Sequence, residues 1–170
     1  FRHSRDYRDD LTFWAATRDA VPNSAKAHLN LSVMYGARNR MDLRLSGNTR
    51  ALELAPEWPM AHVYLGDTLC RMHRPEEAWP HYRRGFELAE NDPNLLSLGL
   101  QCLWDEQVQD EDKQSIKAFR KYEAELDVMA DKRTGTWLAY LVKDMISSGE
   151  KHNGVDPKYR PRGYDQPPKE

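Results

Sequence analysis

Sliding the chain against itself by 34 residues superposes Pro22 on Pro56, Ala27 on Ala61, His28 on His62, Leu31 on Leu65 and Arg40 on Arg74. The same shift superposes Arg50 on Arg84, Glu53 on Glu87, Leu54 on Leu88, Ala55 on Ala89 and Pro59 on Pro93. About two such matches are expected by chance at ordinary residue frequencies. Self-similarity at this period marks a repeat in which each unit is one helix–turn–helix. A single unit of that kind cannot bury its apolar face alone, so the units must stack.

The apolar spacing inside the units agrees. Ala27, Leu31, Met34 and Tyr35 recur at helical intervals and predict a helix over 25–38. Leu45, Leu52 and Leu54 predict its partner over 41–54. The second unit is expected at 59–72 and 75–89, with Pro59 and Pro75 in the first turns, where the missing N–H is harmless. Links this short force paired helices antiparallel. Gly47 is expected to weaken its helix by about 1 kcal/mol relative to alanine. Pro80 is expected to kink its helix or break its first turn.

A third, degenerate unit is expected over 93–130. Leu95, Leu96, Leu98, Leu100, Leu103 and Trp104 lie on its first helix. Ile116, Phe119, Tyr122 and Leu126 share one face of its second, over 112–129, with an acidic loop at 107–111 between them. Phe13 and Trp14 mark a lone helix over 9–20 within an N-terminal segment, 1–24. Trp137, Leu138, Leu141, Val142 and Met145 mark a helix over 134–148, within a capping segment at 131–150. The stretch 151–170, rich in proline and charge, reads as an extended or disordered tail. The units proper are 25–58, 59–92 and 93–130. The fold class is all-α, a helix–turn–helix solenoid of about eight helices.

Composition narrows the function. Lys+Arg is 25 and Asp+Glu is 27 in 170 residues, a net charge of −2. That balance excludes nucleic-acid binding by bulk charge. Charged residues at 31% suit an elongated, surface-rich fold. The longest unbroken apolar run, 137–142, is far short of the roughly 20 residues of a membrane span. The chain begins at Phe1 rather than Met, which leads us to expect a piece of a longer protein. Two cysteines, Cys70 and Cys102, exclude a disulfide framework and a four-thiolate zinc site.

Leu65-Gly66, Ala78, Tyr82 and Gly85 resemble the tetratricopeptide repeat (TPR). So do Asn30-Leu31-Ser32, Tyr35, Ala51 and Pro56 in the first unit. The chain departs from that pattern at Arg44, where a small alanine is usual, at Asn48, where an aromatic is usual, and at Glu90, where proline is usual. The resemblance implies a right-handed superhelix that binds a protein or peptide in a concave groove lined by the first helices. On this chain those positions are Lys26, Leu29, Asn30 and Val33, then Met60, Val63, Asp67, Cys70 and Arg71. Lys26 and Asn30 resemble the start of the carboxylate clamp found in some TPRs. Tyr64, Asn94 and Leu98 stand where its remaining groups would be, so the clamp is incomplete.

A narrower resemblance covers about the first thirty residues. Tyr7-Arg8-Asp9-Asp10, Phe13-Trp14, Val21-Pro22 and 25–31 are similar to the start of the TPR region in large membrane proteins. Those proteins join a multi-span glycosyltransferase-like part to C-terminal TPRs. The resemblance implies a soluble appendage that partners its own membrane domain. Its place would then be extracytoplasmic on a bacterial membrane protein, the cytoplasm being the alternative. Separately, the chain's own tail, 151–170, with its prolines, Tyr159 and Tyr164, is an alternative occupant of the groove.

No catalytic, cofactor or metal constellation is expected. His28 and His62 occupy the same place in successive repeats, about 10 Å apart if the helices stack. Zinc ligands must all lie within about 2.3 Å of one ion. Both are read as packing residues, and His73 and His81 as surface residues. Cys70 and Cys102 are read as small apolar residues. No phosphate-cradling glycine loop, serine elbow or HExxH occurs. The charge is uneven: Lys26, Arg38, Arg40, Arg44 and Arg50 cluster early, while Glu87, Glu90, Asp92, Asp105, Glu106 and 110–112 are acidic. This leaves an alternative to the binding module, a scaffold that self-associates weakly head to tail.

Overall fold

The repeat is written into the main chain. We describe residues 3–109, 115–148 and 154–164 of a computed structural model. The amide of Ser24 bonds the carbonyl of Val21 at 3.0 Å, that of Trp58 bonds Ala55 at 3.0 Å, and that of Asp92 bonds Ala89 at 2.9 Å. Each turn opens a helix, through His28 N–H to Ser24 O, His62 N–H to Trp58 O and Leu96 N–H to Asp92 O. The three turns are 34 residues apart. The third unit therefore starts in phase with the first two, although its side chains have drifted.

The described residues form eight α-helices and no strand. They are α1 (His3–Ala20), α2 (Ala25–Gly36), α3 (Met41–Leu54), α4 (Pro59–Arg71), α5 (Pro75–Leu88), α6 (Pro93–Gln109), α7 (Ser115–Asp131) and α8 (Trp137–Ser148). The chain divides into two compact units, Phe1–Leu88 and Ala89–Glu170.

In the first unit each helix packs on the next, the packing of an α-solenoid. The turns inside the two hairpins are matched as well. Asn39 and His73 both take a left-handed conformation, with φ of 57° and 58°. Arg40 N–H reaches Tyr35 O, and Arg74 N–H reaches Leu69 O. This is the Schellman arrangement, which satisfies carbonyls left over at a helix end. α5 is helical from Pro75 to Leu88, so the broken first turn expected at Pro80 is not found. Gly47 has a packing reason: a Cβ there would collide with the Ser32 hydroxyl of α2. Gly85 does the same on α5, where a Cβ would lie 2.6 Å from Val63 Cγ2 and 3.1 Å from its backbone nitrogen.

In the second unit Asp92 caps α6 by accepting from Leu95 N–H at 3.1 Å. Leu96, Leu126, Leu138 and Val142 are fully buried and form its core. α6 continues to Gln109, past the start of the loop expected at 107–111. Residues 110–114 and the side chains of Ile116 and Phe119 lie outside the described residues. The stretch 154–164, expected to be extended or disordered, makes a 3-10 turn at Pro157–Tyr159 that packs on α8.

Candidate functional site

The nine residues assigned to a concave groove divide by burial. Lys26 and Arg71 are exposed, and Asn30, Val33 and Met60 are half-buried. Leu29, Val63, Asp67 and Cys70 are sealed from solvent and cannot line an open groove. The reason is packing. α4 is flanked by α3 and α5 and also touches α2. Val63 fills the space left by Gly85 of α5, and Asp67 is held by a side chain of α3.

That side chain is Arg44. Its Nη2 donates to Asp67 Oδ2 at 2.6 Å, and Arg71 Nε donates to the same oxygen at 2.9 Å. One helical turn along α3, Asn48 Nδ2 donates to Thr68 Oγ1 at 2.8 Å and to Tyr64 O at 3.2 Å. The seam between α3 and α4 is thus polar where a repeat of this kind is normally apolar. Arg44 and Asn48 are two of the departures noted in the sequence. A bulky cation at a packed position requires an acid within reach, and Asp67 was the available one. Arg44 Nε, Asn48 Oδ1 and Asp67 Oδ1 are buried with no protein hydrogen-bond partner.

The open surface of the first unit lies elsewhere. A groove of about 410 Å³ runs between α3 and α5, over α4. Leu45 and Leu52 of α3 and Leu65 and Leu69 of α4 give it an apolar floor. Its rim carries Thr49, Glu53, Arg74, Glu77 and His81. Arg74 grips Glu77 through Nε and Nη2, at 2.7 and 2.6 Å, and Glu53 pairs with Arg50 at 2.9 Å. Sequence reading missed this groove because its leucines have ordinary core spacing. The detectable signal was Leu45 and Leu52, seven apart on α3 with polar Thr49 between them.

His81 stands at the edge of the groove, its ring centroid 6.1 Å from that of His62. Burial first, and the neighbouring His62 second, push its pKa below the ordinary 6.5. His62 Nε2 lies 2.7 Å from Pro56 O, and His28 Nε2 lies 2.8 Å from Pro22 O. The repeated histidine thus ties each first helix to the loop before it. Among the described residues no three His, Cys, Asp or Glu side chains gather as a metal site would need.

Among the described residues, several of the unevenly placed charges have partners inside their own unit. Arg44 serves Asp67, Arg50 meets Glu53, and Glu87 faces Arg84 at 3.7 Å. Glu90 meets Arg133 at 3.4 Å, and Asp92 is a helix cap.

No family model matches this chain, and no curated protein is similar to it.

Proposed function

We propose that this chain is a non-enzymatic helical-repeat module of the TPR type. Its role is to bind a protein segment, and the segment docks in the groove between α3 and α5. The observation that supports this most is the groove itself, an apolar floor of four leucines under a rim of both charge signs. Such a surface suits a segment that presents apolar anchors on one face and charges on the other. The volume lies within the range of ordinary ligand sites, about 300–1,000 Å³. The remaining surface of the face expected from the repeat pattern, Lys26, Asn30, Val33, Met60 and Arg71, is a second candidate, with Val33 and Met60 as its half-buried apolar residues.

The similarity of the first thirty residues to a membrane-protein junction makes the membrane part of such a protein one partner to try. The alternative, a scaffold that self-associates head to tail, would draw on charges of which several also pair within their own unit.

A photo-crosslinking residue at Thr49 tests the reading, with one at Lys26 as comparison. Both positions are exposed, and of the two only Thr49 lines the groove. Crosslinked protein partners are expected from Thr49 and not from Lys26. Partners from Lys26 alone would overturn the groove assignment.

A further inference from the structure

Residues 154–164 carry their own shape. Asp156 Oδ1 accepts from Lys158 N–H at 3.0 Å, and main-chain bonds join Tyr159 to Asp156, Arg160 to Pro157 and Tyr164 to Pro161. Arg160, which precedes proline, has φ −61° and ψ 132°, the polyproline conformation. The main-chain bond shown from this stretch to the rest of the unit is Arg162 N–H to Gly135 O, at 3.3 Å. Tyr159 and Pro161 are buried, and their neighbours 156–158, 160 and 162–164 are exposed. The stretch is therefore a preformed plug with two inserted side chains.

The socket is specific. Tyr159 OH donates to Asp131 Oδ1 at 2.5 Å. Lys143 Nζ lies 4.6 Å from the centre of the Tyr159 ring and pairs with Asp131 at 2.9 Å and Asp127 at 2.5 Å. A phenol thus meets a carboxylate at its tip and an ammonium on its face, a combination that favours tyrosine over phenylalanine. At the far end Tyr164 OH meets Tyr140 OH at 2.9 Å.

We propose that the α7–α8 face of the second unit is a recognition site for a Tyr-X-Pro segment of a partner protein, occupied in this chain by its own Tyr159-Arg160-Pro161. A preformed peptide loses little freedom on docking. A short strap anchored at Tyr159, Pro161 and Tyr164 opens locally at less cost than global unfolding. A partner segment with the same signature displaces the strap. This site is distinct from the groove of the first unit and does not depend on it.

The test uses the full chain with Tyr159→Ala and Pro161→Ala, which frees the socket. The probe is a fluorescent peptide of the sequence of 154–164. Saturable binding is expected, at least tenfold tighter than to the wild-type chain. Adding Lys143→Ala, or changing the peptide tyrosine to alanine, weakens it at least tenfold. Absence of saturable binding to a variant with wild-type circular dichroism overturns the proposal, and so does equal binding of the tyrosine-free peptide. Should the double variant misfold, amide exchange in Lys143→Ala decides. At Arg162 it is expected to quicken at least tenfold, and unchanged exchange overturns the proposal. A concentration-dependent dimer of the wild type that Tyr159→Ala abolishes also overturns it, making a second copy the occupant.

Discussion

Arg44 and Asp67 meet at 2.6 Å in the interior between α3 and α4, with the carboxylate side chain about 1% exposed and the arginine about 11%. Two charges out of water attract strongly, but each carries a desolvation penalty, so the pair is not a simple source of stability.

Removing Arg44 leaves Asp67 with Arg71 as its cation. Arg44→Ala is expected to destabilise the first unit by about 1–3 kcal/mol, the cost of a buried polar group that loses one partner. The double variant Arg44→Met/Asp67→Leu should regain most of that loss, because apolar side chains of similar size can replace a buried pair. Arg71, which is half exposed, can turn to solvent. Urea midpoints of wild type, single and double variants check this. A double variant as unstable as the single would mean that the seam serves more than charge balance.

Gly85→Ala is expected to cost about 1–3 kcal/mol, since the new methyl meets both the side chain and the backbone of Val63. The α4 backbone cannot yield as the end of a flexible side chain could. A thermal midpoint within error of wild type would refute the tight crossing of α4 and α5.

Leu65 is about 4% exposed, at the floor of the groove and next to the α5 packing. Leu65→Ala should cost about 2–5 kcal/mol. A loss below about 1 kcal/mol, measured by chemical denaturation, would show that the site collapses to fill the void.

Stability should depend on pH through His81. Its folded pKa lies below the ordinary 6.5, chiefly through burial and then through His62. The folded state therefore prefers the neutral ring. Stability is complete above 6.5 and falls as pH drops from there through the folded pKa. His81→Gln should flatten the urea midpoint between pH 7.5 and 5.5. An unchanged slope would assign the titration to another group.

The helices were legible because the apolar period and the prolines are local signals. α3 was read to its exact ends, and α4 and α5 to within one residue at their C-termini. The site was less legible. Val63 and Asp67 were assigned to an open face by analogy, and burial depends on what packs opposite, which no local pattern reports. The exceptions in the pattern were the better guide. Arg44 and Asn48, awkward as core residues, mark the seam that encloses Asp67. The plug at 154–164 left no periodic trace, since a turn held by proline and one tyrosine is too short to have a period.

The turns at 21–24, 55–58 and 89–92 each close through a main-chain bond, and their end residues have diverged to valine, alanine and alanine at one end and serine, tryptophan and aspartate at the other. The closing bond itself does not depend on which of these residues stands there. Whole 34-residue blocks can be copied or deleted at these joints without a new loop having to be invented.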